Sequence, residues 1–187
     1  MSLMSYLQLV DLVESGVIMG LEDHDQINAS SIDVRLGDEI IIEMTPDWSA
    51  PPFGIVDPAK RTNFTQKRFN IREEGEYLLE PGEFILASTV EIFNLPNDIS
   101  AEFRLKSSGA RSGLNNLFAC HCDPGWHGSS LTLELHNTLG CHTICLTPGM
   151  RIGQMLFHKH SVAVPSDRSY ATRGRYNQDK VVSSVKL

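Results

Sequence analysis

Long apolar runs are missing from this sequence: no segment approaches the ~18 consecutive apolar residues of a membrane-spanning helix. The start also lacks the charged and apolar regions of a secretory leader. Both absences lead to the expectation of a soluble, cytoplasmic protein with no membrane partner. Basic charge is scarce, with 16 Lys and Arg against 23 Asp and Glu and a formal charge of −7. That balance excludes a general nucleic-acid face, which needs many cations to neutralise phosphates, yet it leaves room for a local basic pocket around a small anion. Cysteine is sparse too. Without secretion, Cys120, Cys122, Cys141 and Cys145 do not suggest a disulfide framework. The Cys120-His121-Cys122 and Cys141-His142-x-x-Cys145 clusters bring soft ligands together, but a C-x-C on a strand points both thiols to one face without tetrahedral geometry. Ordinary buried or half-buried cysteines are expected, with no zinc.

What is present suits one globular domain spanning 1–187: 187 residues with 41% hydrophobic content can bury a substantial core. Met1-Ser2-Leu3, placed before a second methionine, reads as an added leader and is set aside from the fold. Helix signals are few. Ser5 is a fair N-cap for a short helix carrying Leu9, Leu12 and Val13 on one side and stopping at Gly16. Afterwards the period is two. Ile32, Val34 and Leu36 alternate with Asp33 and Arg35, Ile40 to Met44 returns, and further strands are expected at Tyr77 to Leu79 and Phe84 to Phe93. Residues 45–70, with Pro46, Pro51, Pro52 and Pro58, read as a long irregular excursion of no assigned role. Residues 167–187 are polar, and composition alone reads them as a disordered tail. Short strands between Pro-Gly turns predict a mainly β, distorted-barrel or jelly-roll-like fold with a short N-terminal helix.

The richest chemistry lies between Lys106 and Asn137. Lys106, Ser107, Ser108 and Arg111 offer ammonium, hydroxyl and guanidinium donors beside Gly109 and Gly113, which suits a phosphate. Leu131 to His136 alternates strictly, so Leu131, Leu133 and Leu135 face one way while Thr132, Glu134 and His136 face the other. Glu134 is thereby placed on a rigid strand. Taken alone it would read as a solvated carboxylate.

The order SSxxRxGL (from Ser107), DPGW (from Asp123), LELxN (from Leu133) and PGMRIGQ (Pro148 to Gln154) resembles the dCTP deaminases of the trimeric dUTPase superfamily. Ser31 to Gly37, SIDVRLG, resembles the family's early strand, and Tyr176-Asn177-Gln178 its nucleotide-covering tail. The resemblance implies a dUTPase-like, β-clip fold and hydrolysis of dCTP to dUTP and ammonia without zinc. It implies Glu134 as catalytic carboxylate, Arg111 and Ser107 as catalytic groups holding water and phosphates, and Asp123 as a sugar contact. Lys106, Ser108, Ala119 and Thr132 join the nucleotide-binding set, with Gln154, Tyr170, Arg175 and Gln178 on the phosphate side. The tail then closes over the nucleotide instead of remaining disordered.

The chain departs from the family in two ways. An H-x-T-A run before the aspartate is replaced by Asn115 to Ala119, of which only Ala119 fits. The segment from Gly113 to Asp123 is one residue short, and that from Gly128 to Glu134 one long. The H-x-E and P-C-x-x-C patterns of zinc deaminases are absent. Magnesium is expected to arrive on the triphosphate, since few carboxylates cluster in the sequence. A homotrimer with sites between subunits is expected, because one small β unit offers few groups to wall in a nucleotide. Two alternatives stay open: a dUTP diphosphatase or bifunctional enzyme using Asp123, and a non-catalytic nucleotide-binding relative.

Overall fold

A computed structural model describes residues 2–47, 49, 54–117, 119 and 121–186. Met1, Pro51, Pro52, Phe118, Cys120 and Leu187, to which the sequence reading attached expectations, lie outside the described residues.

Ser5 donates from its backbone N–H and its hydroxyl to Gln8 Oε1 and starts the helix Tyr6–Glu14, which buries Leu9 and Leu12. Gly16 follows at φ +75°, where a left-handed residue ends the helix. Everything after this is mostly strand. One sheet orders Ser2–Leu3, Arg151–Lys159, Ile99–Leu105 and His121–Cys122, with Ile32–Arg35 also paired to Arg151–Lys159. A second orders Leu114–Asn116, Thr132–Asn137, Phe84–Ser88, Glu39–Glu43 and Gln66–Asn70. Smaller sheets join His127–Ser129, Ile92–Asn94 and Ile18–Met19, and Ile144–Leu146 with Tyr77–Leu79. The fold is mainly β, as expected, although no sheet closes into a barrel among the described residues. Alternation explains the core: Ile32, Val34, Leu36, Leu133, Leu135, Met155 and Phe157 are fully buried in one apolar cluster.

Several local expectations change. Ser2 and Leu3, set aside as a leader, pair with Lys159 and His158 at the sheet edge. The excursion ends as a strand, Gln66–Asn70, pairing antiparallel to Glu39–Glu43. The expected continuous strand Phe84 to Phe93 is two strands, broken at Thr89-Val90-Glu91. A buried carboxylate accounts for the break. Glu91 is fully buried, and its carboxylate accepts from the Arg35 backbone N–H at 2.9 Å, from Arg35 Nε at 2.9 Å and from Gln26 Nε2 at 3.1 Å. A straight strand would not aim that side chain at the Ile32–Arg35 strand. Asp33, which alternation would turn outward, is buried because Lys106 Nζ (2.6 Å) and Asn28 Nδ2 (2.8 Å) cover it. Cys122 is buried, but Cys141 and Cys145 are exposed instead of half-buried.

Removing Glu91 would leave the Arg35 guanidinium short of its buried partner. Glu91→Ala is expected to cost about 3–5 kcal/mol in chemical denaturation. A loss below about 1 kcal/mol would show that the pair does not organise this corner.

Candidate active site

The strand Thr132–Asn137 carries out the expected division of faces. Leu133, Leu135 and Asn137 are buried on the core side, and Thr132, Glu134 and His136 are half-buried on the other. Its pairing with Phe84–Ser88 sets Leu86 directly across from Glu134. Cross-strand side chains share a face at roughly 5 Å between Cβ atoms, so an aliphatic group stands beside the carboxylate. On the same face Ile41 and Leu86 pack with Val182 of the tail, and Phe64 and Phe84 pack against them with ring centroids 5.9 Å apart.

Of these, Leu86, Phe64 and Phe84 border a cavity of about 500 Å³ that is also lined by Glu134, Thr132, Ala119, Asp123 and Tyr170. Glu134 Oε2 is buried with no hydrogen-bond partner among the described residues. Desolvation pushes the carboxyl up to about 7. A carboxyl so placed holds or releases a proton near neutral pH, the property a general acid–base group needs. Asp123 is exposed at the head of the Asp-Pro-Gly-Trp turn, whose other three residues are buried, and His121 Nε2 lies 3.5 Å from its carboxylate. Burial also raises the Tyr170 hydroxyl.

The tail forms part of this cavity. Trp126 Nε1–H donates to the Tyr176 carbonyl at 2.8 Å, the Gln178 N–H to His127 O at 3.1 Å, and the Ser130 N–H to Asp179 O at 2.8 Å. Asn177 accepts from the His127 N–H at 3.1 Å and donates to Tyr170 O at 2.8 Å. Farther on, the Asn63 amide exchanges two hydrogen bonds of 3.1 Å with the backbone of Val185. Gly125 permits the docking: its φ is +89°, and a Cβ there would stand 2.0 Å from Ser169 Oγ. The polar tail is thus ordered by backbone contacts and by one fully buried apolar residue, Val182.

The other expected site residues form a separate group. Lys106 is bound to Asp33, and Gln154 Oε1 accepts from Ser31 Oγ at 2.9 Å. Ser107, Ser108 and Arg111 sit on the exposed helix Ser107–Arg111. None of these five lines the Glu134 cavity within the chain, and neither do Arg175 or Gln178. Arg175 is exposed, while the side chain of Gln178 lies over Gly128.

Residues 3–160 match the dCTP deaminase-like family. A dCTP deaminase of Haloarcula marismortui is 36% identical over 163 residues, 84% of this chain and 79% of its own length. A dUMP-forming dCTP deaminase of Methanopyrus kandleri is 34% identical over 179 residues, 91% of this chain and 87% of its own. The chain belongs to the dCTP deaminase-like family. The crystal structure of the 2'-deoxycytidine 5'-triphosphate deaminase of Agrobacterium tumefaciens shares the fold, with TM-score 0.63 and 20% identity over 88% of this chain. This chain spans half the length of that protein.

Within this dCTP deaminase-like chain, a register shift falls between His127 and Ser129, around Gly128 at φ +67°, at the start of the segment that the sequence reading counted as one residue too long. A bulge of this kind absorbs one residue without moving the strand that follows. Ala119, the one residue fitting the altered run, does reach the cavity. Sequence reasoning missed Phe64, Phe84, Leu86 and the Ser183 to Val185 wall, whereas Tyr176, named with the covering tail, does line the cavity. It also missed Arg168 and Arg173, which border a second cavity of about 480 Å³ shared with Asp123 and Tyr170. Only Phe84 and Leu86 could have been found, since they share Glu134's period-two face on a neighbouring strand. Among the described residues no three His, Cys, Asp or Glu side chains cluster to hold a metal.

The raised Glu134 carboxyl has a thermodynamic signature. A folded carboxyl that keeps its proton to about 7, against an ordinary value of 4.5, costs nothing at pH 4 and progressively destabilises the fold as pH rises from about 4.5 to 7. Glu134→Gln should therefore match the parent's stability near pH 4 and exceed it by up to about 3 kcal/mol at pH 8. Equal stability at both pH values, measured by denaturation, would mean that the carboxyl is solvated.

Proposed function

We propose that the chain is a cytoplasmic dCTP deaminase that hydrolyses dCTP to dUTP and ammonia, with magnesium carried on the triphosphate and no zinc. The observation that supports this best is the desolvated carboxyl of Glu134, its Oε2 without a partner among the described residues, at the wall of a nucleoside-sized cavity in a dCTP deaminase-like chain. In its charged form Glu134 takes a proton from water as the oxygen attacks C4 of cytosine, and passes that proton to N3. The C4–N4 bond then breaks as the second water proton reaches the amine, leaving the uracil carbonyl and ammonia. Thr132 and Ala119 line the base end, and Asp123 and Tyr170 the sugar end.

The phosphate-side residues support a homotrimer. Ser107, Ser108 and Arg111 have exposed side chains with no partner among the described residues, while the Glu134 cavity of the same chain lacks them. Three copies related by a cyclic axis would set one chain's Arg111 group against the next chain's Glu134 cavity, closing three equivalent sites with one interface. A second reading is favoured by Asp123, which stands in the same cavity, and by similarity to proteins described as dUMP-forming. In that reading Asp123 also activates water against the α-phosphate, and dUMP and pyrophosphate leave.

Incubation with dCTP and Mg²⁺, followed by separation of products, is expected to give dUTP; dUMP with pyrophosphate would establish the bifunctional enzyme, and no turnover a binding relative. A zinc-specific chelator should leave the rate unchanged. Because Glu134 must start as the carboxylate, kcat/KM should fall about tenfold per unit of pH below 7. Glu134→Gln should lower kcat by ~10²-fold or more and abolish that limb. More than a tenth of the parent rate in the variant would sink the assignment.

Mixing Glu134→Gln subunits with Arg111→Ala subunits should restore activity, since random reassembly leaves roughly a quarter of shared sites intact. An active species with the mass of one chain in light scattering would end the trimer reading.

A further inference from the structure

Most polar groups on the cavity walls supplied by the excursion and the tail are already engaged. The Asn63 amide is used twice by Val185, Thr62 Oγ1 accepts from the Asp57 N–H at 2.6 Å, and Ser184 Oγ accepts from Gln66 Nε2 at 3.2 Å. What these walls offer a ligand is the apolar surface of Val56, Phe64 and Val185, continuous with Phe84 and Leu86. Across from them, Glu134 Oε2, buried without a hydrogen-bond partner among the described residues, and the Thr132 side chain stand two residues apart on one strand face.

A cytosine ring has the same two sides. Its N3, N4 and O2 atoms need polar partners, whereas C5 and C6 carry only C–H. We infer that the C5–C6 edge lies against the Phe64 wall and that the site therefore deaminates deoxycytidine nucleotides carrying a small apolar substituent at C5, of which 5-methyl-dCTP is the simplest. This inference rests on the proposed deamination at Glu134. The reaction is unchanged: water adds at C4, ammonia leaves, and 5-methyl-dCTP becomes dTTP with the methyl group untouched. A cavity of about 500 Å³ lies well inside the size range of sites that enclose whole small ligands, so one methyl group is a small addition. Burying it against aromatic and aliphatic surface is favourable, and a tightly filled pocket would instead penalise it by roughly 10–200-fold.

The same wall should reject a polar substituent. A hydroxymethyl group at C5 would bring a hydroxyl to an apolar surface whose flanking polar groups already hold hydrogen bonds, and burying it unpaired should cost about tenfold or more relative to methyl.

The test compares kcat/KM for dCTP, 5-methyl-dCTP and 5-hydroxymethyl-dCTP in the intact protein. The expected result is 5-methyl-dCTP within about tenfold of dCTP and 5-hydroxymethyl-dCTP at least about tenfold below 5-methyl-dCTP. Turnover of dCTP with 5-methyl-dCTP more than about a hundredfold poorer overturns the inference and leaves the deaminase reading standing. Equal turnover of the methyl and hydroxymethyl compounds also overturns it, because the wall would not be apolar to the ligand. Absence of turnover with all three overturns both. Phe64→Trp should lower the ratio of 5-methyl-dCTP to dCTP efficiency by about tenfold, and an unchanged ratio counts against the wall. Should that variant fail to fold, the comparison of nucleotides in the parent protein still decides.

Discussion

The pairing of Thr132–Asn137 with Phe84–Ser88 is the constraint on which the site depends. A side-chain period of two means that a slip of one residue would drive Glu134 into the core and expel Leu133 and Leu135. Asn137 pins the end of the strand: its amide donates to Leu79 O at 2.9 Å and His142 O at 2.8 Å, and its oxygen accepts from the Leu139 N–H at 2.9 Å. An aspartate or leucine there could not make all three bonds. The Asn of the LELxN motif thus has a structural reason to accompany the glutamate.

Register alone does not desolvate Glu134. The covering groups come from distant parts of the chain: Phe64 from the excursion and Val185 from the tail line the cavity together with Glu134 and Leu86. Asn63 and Val185 hold the two pieces to each other. The raised carboxyl is therefore a property of the assembled roof, built from segments separated by more than a hundred residues.

This explains what could be read in advance. The burial of Leu133 and Leu135, the outward turn of Glu134 and the helix stopping at Gly16 follow from local periodicity and turn chemistry, and all are found. The buried Glu91 and Asp33 were not legible, because each depends on a cation or amide brought in by tertiary structure. The break at Thr89 to Glu91 follows from the same buried pairing. The tail deceived composition for a related reason: its order comes mainly from main-chain hydrogen bonds to residues 127–130 and the Trp126 indole, which side-chain polarity does not report. The bulge at Gly128 was not legible, because its geometry emerges from pairing with Ile92–Asn94.

Charge placement carries the remaining step. Among the described residues lining the Glu134 cavity there is no Lys or Arg, while Glu134, Asp123 and Asp179 are all carboxyl-bearing. A triphosphate drawn into that cavity would meet the carboxyls of Glu134 and Asp123, with Lys186 already paired to Asp179, at a cost that low local dielectric enlarges. In the proposed reading the cavity takes the neutral base and sugar, and the phosphates project beyond it towards cations. Arg168 and Arg173 stand at the adjoining cavity, and Arg111 is exposed on its own helix. The desolvated carboxyl and these arginines are thus kept apart along the chain, and in the proposed reading that separation lets Glu134 stay desolvated while a chain of net charge −7 accommodates an anion.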